Sequence, residues 1–134
     1  MDTRLRHGIL TAALALGLGL APQAQAQSTD SLPPGVTRDM VAKGKGIFGG
    51  AGLCLACHGA DGKGTIGPNL TDKTWLHSDG SYEAIVKQVI SGVDQAASKT
   101  GQIMPPRGGS GISDAEVRAV AAYVWTLSHG TGKK

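Results

Sequence analysis

The sequence predicts an all-α domain in which three main helices are joined by long loops. Three segments carry apolar residues at spacings of three and four, and no segment alternates like a half-buried strand. The chain has 21 Gly but only one Phe, two Trp and two Tyr, so little apolar bulk is available for a core. Small domains with such a core usually need a disulfide framework, a metal or a cofactor. We therefore expect the helices to pack around a bound group.

Residues 1–26 have the layout of a secretory signal peptide. Arg4 and Arg6 precede an apolar run from Ile9 to Leu20, and the small-residue pattern "AQA" ends at Ala26. The run is shorter than the roughly 20 residues that span a membrane, which favours cleavage over a retained anchor. We expect export to the periplasm. Cleavage would lower the formal charge from +3 to +2, which is too mild for a nucleic-acid-binding protein without basic runs.

The first part of the exported chain is predicted to be an extended leader followed by a helix. Pro33, Pro34 and Gly35 interrupt regular structure in the leader, residues 27–36. The first helix is predicted from about Thr37 to Phe48, with one apolar side made by Met40, Val41, Gly44, Ile47 and Phe48. Because glycine weakens a helix, Gly44 suggests that another element approaches closely there.

The second and third helices follow a glycine-rich loop. The second has an apolar stripe and ends near Gly92; the stripe consists of Tyr82, Ile85, Val86, Val89 and Ile90. The third begins with a capping box at Ser113 and Glu116 and runs to about Ser128. Its inward positions are Val117, Val120, Ala121, Val124 and Leu127. The domain is thus predicted over 37–128, followed by a flexible tail over 129–134.

The only two cysteines lie in Cys54-Leu55-Ala56-Cys57-His58. A zinc site would want four ligands, usually from two such pairs. A thioredoxin-like dithiol would lie between a strand and a helix, and a plain disulfide would leave His58 without a role. Covalent haem attachment uses all three residues, because both thiols bond the porphyrin edge and His58 ligates the iron. We favour one covalently attached haem c, which also supplies the missing apolar bulk.

The sixth iron position has four candidate ligands. Met40 lies on the apolar side of the first helix, and His129 is expected to face water at the end of the chain. His77 lies in a loop with polar neighbours, which favours the surface. Met104 is on a loop stiffened by Pro105 and Pro106 and is the ligand we favour. A thioether opposite a histidine raises the reduction potential and leaves no open site, so electron transfer is favoured over catalysis.

The chain resembles class I cytochromes c of bacterial type. The resemblance is carried in order by "GKGIFGGAGLCLACHGADGKGTIGPNLTD", "IMPP" and "SDAEVRAVAAYVWTLS", and it extends from about Thr37 to Ser128. The stretch "GPNLTDKTWL" is similar to haem domains associated with respiratory oxidases and periplasmic dehydrogenases. The fold implied is the cytochrome c fold, with three main helices and long loops wrapped around the haem.

The resemblance also implies roles for particular residues. Pro68 would present its carbonyl to the free ring nitrogen of His58, a bond that orients an axial ligand. Trp75 would either donate its indole N–H to a haem propionate or cover the haem edge. Gly44 and Phe48 would lie where the first helix crosses the last, against Tyr123.

The function implied is a monomeric, non-enzymatic electron carrier between a respiratory donor and a terminal acceptor. The alternative is a dedicated subunit bound to a periplasmic dehydrogenase or oxidase. A third possibility is a catalytic haem with an open sixth site.

Overall fold

The computed structural model describes residues 31–130. The predicted signal peptide, the first residues of the predicted leader and the last four residues of the predicted tail lie outside this range. Within residues 31–130 there are four helices: α1 over Arg38–Gly49, α2 over Leu55–His58, α3 over Tyr82–Ser91 and α4 over Asp114–His129. A tight turn at Pro106–Gly109 precedes α4. The three long helices are those that the sequence predicts, and the fold is all-α.

Each long helix begins at a residue whose side chain caps it. Thr37 accepts from the Met40 N–H, and Ser81 accepts from the Ala84 N–H. At α4 the predicted capping box is present, because Ser113 and Glu116 bond to each other's backbone N–H. These bonds satisfy N–H groups that have no partner within the helix and so fix where each helix starts.

α1 crosses α4 at Gly44. A Cβ at this position would overlap the carbonyl oxygen of Ala119 and lie 3.0 Å from Tyr123 Cβ. Next to it, the rings of Phe48 and Tyr123 meet edge to face with centroids 5.4 Å apart. The close approach predicted from Gly44 is therefore confirmed, because only a residue without a side chain lets the two backbones come this near.

α3 packs on α4 beside this crossing. The Tyr82 hydroxyl donates to the Arg118 carbonyl oxygen at 3.2 Å, and Arg118 pairs with Glu83 at 3.2 Å. The core between the helices is built mostly of Val, Ile and Ala, and its largest fully buried side chains are Phe48, Val117 and Val120. The core therefore contains few large side chains, as expected of a sequence with one Phe, two Trp and two Tyr.

Ile90 does not belong to the buried stripe of α3. Tyr82, Ile85, Val86 and Val89 are buried, whereas Ile90 is 39% exposed. With 3.6 residues per turn, position 90 lies about 80° round the helix from position 82 and so falls at the edge of the stripe. The prediction was wrong for this residue.

Both predicted ends of the domain also need correction. Leu32 packs against the core and Val36 is buried. A turn closed by the bond from Val36 N–H to Pro33 O brings them there, so this part of the predicted leader is not extended. At the other end, His129 belongs to α4 and not to the tail, because its ring stacks on Trp125 with centroids 4.1 Å apart. His129 is exposed, as expected.

Candidate haem-binding site

One large cavity lies beside the core, and it brings together the residues singled out in the sequence. The empty space within it and at its open mouth amounts to about 1110 Å³. Its lining is mainly apolar. Every proposed haem-contacting residue lines it, namely Cys54, Cys57, His58, Pro68, Trp75 and Met104.

The cysteine motif forms a single helical turn at the wall of this cavity. Cys54 stands at the start of α2, and its carbonyl oxygen accepts from the N–H groups of Cys57 and His58 at 3.2 and 2.9 Å. Both thiols are free and half-buried. Burial raises the pKa of the Cys54 thiol, and the neighbouring Cys57 adds to this. The two sulfurs are therefore available to a third group and are not bonded to each other.

The glycine-rich loop after the motif is anchored on the carbonyl oxygen of Cys57. This oxygen accepts from the N–H groups of Thr65, Ile66 and Gly67 at 3.1, 3.1 and 2.9 Å, and from the Thr65 hydroxyl at 2.7 Å. The loop is thereby folded back over α2. Sequence reasoning missed this anchor, because a carbonyl oxygen that collects several donors has no signature in residue types.

His58 is held from two sides. Its Nδ1 lies 2.9 Å from the Pro68 carbonyl oxygen, the pair of atoms that the resemblance implies. Gly67 lies against the same ring, since a Cβ there would be 3.1 Å from His58 Cε1 and 3.4 Å from Cys57 Cβ. In the neutral ring, an Nδ1–H that donates to a carbonyl leaves Nε2 as the nitrogen that can bind a metal. Gly67 is a site residue that sequence reasoning missed, although it precedes Pro68 in "GPNL".

Met104 is fixed by its backbone. Its N–H donates to the Val93 carbonyl oxygen at 2.9 Å, and its carbonyl oxygen accepts from the Val93 N–H at 2.8 Å. Gly92, with φ of 70°, makes room for this pairing, because a Cβ there would collide with the Met104 carbonyl oxygen and lie 2.7 Å from Pro106 N. Val93 and Met104 thus pair as residues of two antiparallel strands do.

Trp75 and His77 come from the loop between α2 and α3. Trp75 is half-buried and packs on Gly80, where a Cβ would lie 2.8 Å from Trp75 Cε2. His77 is also half-buried and lines the cavity. The expectation that His77 lies at the surface was wrong, because its loop folds inward beside Trp75 despite its polar composition.

The exposed residues that line the cavity are uncharged over the described part of the chain, and several of them are apolar. Leu53, Ile66 and Ile103 are 52%, 60% and 57% exposed. No Asp, Glu, Lys or Arg of residues 31–130 lines the cavity.

The side chains that could bond or ligate a group in this cavity fit a haem c. Two thiols on one helical turn, an imidazole with one nitrogen held by a carbonyl and a thioether on a separate loop all open into one apolar space. Fold and site thus define a c-type cytochrome. The family model for cytochrome c matches residues 41–128, and the chain belongs to the cytochrome c family. Proteins of this family bind haem c and carry electrons, and they are not enzymes.

Two curated relatives are subunits of respiratory oxidases. The chain is 40% identical over 92 residues to the cbb3-type cytochrome c oxidase subunit FixP of Bradyrhizobium diazoefficiens, covering 66% of this chain and 28% of FixP. It is 37% identical over 93 residues to subunit CcoP of Rhodobacter capsulatus, covering 65% of this chain and 29% of CcoP. The chain thus spans less than a third of the length of these relatives.

A solved structure supports the same fold. Cytochrome CL from the methylotrophic bacterium Methylophaga aminisulfidivorans superposes with a TM-score of 0.52 at 20% identity, covering 66% of this chain and 53% of that one. At this identity the likeness concerns the fold alone. No helix within residues 31–130 has the length and apolar character needed to cross a membrane.

Proposed function

We propose that this chain is an exported cytochrome that carries one haem c and passes single electrons between a respiratory donor and a terminal acceptor in the periplasm. The proposal depends chiefly on the helical turn that carries Cys54, Cys57 and His58 at the wall of a large apolar cavity. The chain has one such motif, and hence one attachment point. When bound, haem supplies reversible one-electron chemistry at its iron.

Each residue that the sequence predicts to contact the haem has a proposed role. Cys54 and Cys57 would hold the macrocycle through thioether bonds, while His58 Nε2 and the Met104 sulfur would be the two axial ligands. Pro68 would orient His58 through its carbonyl oxygen, 2.9 Å from Nδ1. Because Gly92 and Val93 set the backbone of Met104, the sixth ligand would be in place without a large rearrangement. A thioether opposite an imidazole raises the reduction potential.

Trp75 would cover one side of the macrocycle, with its ring held by Gly80. Its indole N–H is a donor only, and a haem propionate is the acceptor it would meet. Replacing Trp75 by Phe separates these two roles, since Phe keeps the cover and removes the donor. A lower reduction potential in Trp75→Phe would support the hydrogen bond to a propionate. An unchanged reduction potential would support the role of covering the macrocycle.

Haem attachment can be tested directly. The full chain is produced in a bacterial host with its haem-attachment system, and the purified protein is examined by mass spectrometry and optical spectroscopy. We expect the mass of the polypeptide plus one haem, resistant to acid extraction, and a six-coordinate low-spin spectrum in both oxidation states. A chain without bound haem, or with high-spin ferric iron, would overturn the proposal.

A second candidate function is a dedicated subunit of a respiratory oxidase. It is favoured by the likeness to FixP and CcoP, whose names describe oxidase subunits. The exposed apolar side chains of Leu53, Ile66 and Ile103 at the cavity suit either function, because an apolar surface can form a transient or a lasting interface. Gel filtration of material from native membranes and periplasm separates them: co-elution with a larger complex supports the subunit, and elution as a monomer supports the carrier.

Periplasmic location rests on residues 1–26, whose sequence has the pattern of a cleaved signal peptide. N-terminal sequencing of the purified protein tests it, with cleavage after Ala26 expected. A chain retained in the membrane with its apolar run intact would instead indicate an anchor.

A further inference from the structure

Arg107 has an unusual backbone conformation shortly after Met104, and none of the roles above involves it. Its φ is 55°, and within residues 31–130 Leu53, with φ of 57°, is the other non-glycine residue with a positive φ. This conformation is unfavourable for a residue with a side chain, because Cβ crowds the following carbonyl oxygen. It persists only where the surrounding contacts hold it in place. The contacts of Arg107 should therefore explain why the chain tolerates this conformation.

The guanidinium group of Arg107 bonds to the start of α4. Its Nη1 donates to the Ile112 carbonyl oxygen at 2.9 Å, and its Nη2 donates to Asp114 Oδ1 at 2.6 Å. Ile112 belongs to the core with 5% exposure, and Asp114 is the first residue of α4. The Arg107 side chain is 29% exposed, whereas that of Asp114 is 76% exposed. The bond to Ile112 therefore contributes more than the ion pair, since exposed ion pairs stabilise little.

The turn that joins Met104 to Arg107 is short and closed. The Gly108 N–H donates to the Pro105 carbonyl oxygen at 2.9 Å, and the Ser110 hydroxyl donates to the Arg107 carbonyl oxygen at 2.6 Å. The two prolines of the turn have fixed φ angles. A displacement of the Met104 backbone would therefore be transmitted to Arg107 and would strain its bonds to the start of α4.

The same turn lies against the segment that leads into the cysteine motif. A Cβ on Gly108 would be 2.7 Å from the Gly52 carbonyl oxygen, so the two backbones approach closely there. Leu53, the other residue with a positive φ, lies between Gly52 and Cys54. The segments that carry the proposed attachment cysteines and the proposed sixth ligand thus meet beside the two strained residues.

We propose that Arg107 is a positioning residue that holds the turn after Met104 in place and so keeps the Met104 sulfur on the iron. This inference rests on the proposed function. Val93 fixes the backbone of Met104 from one side, and the bonds of Arg107 to Ile112 and Asp114 fix the following turn from the other. Without these bonds, a larger share of the molecules has Met104 away from the iron, and the sixth position is open to other ligands.

The test measures how tightly imidazole, used as a probe, binds to the ferric holoprotein in place of Met104. The apparent association constant is the intrinsic one multiplied by the fraction of molecules whose sixth position is open. Replacing Arg107 by Asn removes the guanidinium, and Asn tolerates a positive φ better than most residues, so the change adds no backbone strain. We expect imidazole to bind about threefold to tenfold more tightly, as the loss of one such hydrogen bond implies.

Two further variants set the scale. Arg118→Gln is the matched control, because it breaks the ion pair with Glu83 between α3 and α4, and neither residue lines the cavity. We expect its affinity for imidazole to equal that of wild type. Met104→Ala sets the upper limit, because no side chain of residue 104 then competes with imidazole for the iron.

A second variant keeps the proposal testable if Arg107→Asn does not fold. Asp114→Ala removes only the partner of Nη2, so the affinity should rise by a smaller factor, about twofold. An unchanged affinity in Arg107→Asn, or in Asp114→Ala if only that variant folds, would overturn the role of Arg107. A lower free energy of unfolding together with an unchanged affinity would show that Arg107 merely supports the fold. Absence of covalent haem from wild type, or equal affinities of wild type and Met104→Ala, would instead overturn the proposed function.

Discussion

Val93 and Met104 exchange both backbone hydrogen bonds, at 2.8 and 2.9 Å, and so pair as neighbouring strands do although no sheet surrounds them within residues 31–130. Gly92 precedes the pair with a positive φ, and no side chain fits between it and the Met104 backbone. The position of the proposed sixth ligand is therefore determined by the end of α3. Replacing this glycine should move the ligand without changing any atom of Met104.

The first prediction concerns Gly92. Replacing it by Ala should weaken the bond from the Met104 sulfur to the iron, because the new Cβ collides with the Met104 carbonyl oxygen. Loss of the sulfur-to-iron band in the ferric optical spectrum, together with a lower potential, is the expected result. Gly101→Ala is the control, since Gly101 also has a positive φ of 76° but no atom within 4 Å of the position that a Cβ would take. Equal effects of both changes would show that backbone strain, and not contact with Met104, is responsible.

The second prediction concerns Met104 itself. Met104→Ala should lower the reduction potential and give the ferrous protein rapid binding of carbon monoxide, because the sixth position would be open. Met40→Leu serves as the comparison, since Met40 packs against the core and does not line the cavity. An unchanged spectrum in Met104→Ala would contradict the assignment and direct attention to His77, which lines the same cavity.

The third prediction concerns the crossing of α1 and α4. Gly44→Ala should lower the free energy of unfolding by about 3 kcal/mol, at the upper end of what overpacking usually costs, because the Ala119 carbonyl oxygen cannot move aside within a helix. Gly46→Ala lies in the same helix with nothing near its Cβ, and should stabilise the protein by about 0.5–1 kcal/mol. Chemical denaturation of the holoproteins measures both. Similar changes for the two variants would refute the close-packed crossing.

The fourth prediction concerns pH and the start of α4. Hydrogen bonds from the Ser113 N–H and hydroxyl lower the pKa of Glu116 below its ordinary value of 4.5. Because the folded pKa is the lower one, this contribution to stability is present above pH 4.5 and is lost as the pH falls through the folded pKa. Ser113→Ala should thus be less stable than wild type at pH 7, with the difference shrinking below pH 4.5. A difference that stays constant down to about pH 3 would contradict this linkage.

The sequence was most informative where a local signal sets the structure. Ser113 and Glu116 predict the start of α4, Gly44 predicts the helix crossing, and the cysteine motif predicts residues that lie together at one cavity. These features depend on residues close together in the chain or on one residue of unusual type. Sequence patterns of this kind remain readable without knowledge of the tertiary structure.

The features that the sequence did not predict depend on contacts between distant segments. Nothing in the local pattern shows that Gly92 faces the backbone of Met104, or that the loop of His77 folds into the cavity. The burial of Leu32 likewise depends on a turn that brings it back to the helices.

The crossing at Gly44 and Ala119 also bears on how much this domain can vary in length. It joins the first and last helices, so the intervening chain is a closed loop whose ends are fixed by one tight contact. Extending such a loop is inexpensive in entropy, since each doubling of a flexible loop adds only about 0.6 kcal/mol. The segment between Val93 and Met104 is in addition closed by its own pair of hydrogen bonds. Insertions there would enlarge the surface beside Thr100, Gln102 and Ile103, which line the cavity, while the paired backbones of Val93 and Met104 keep their positions.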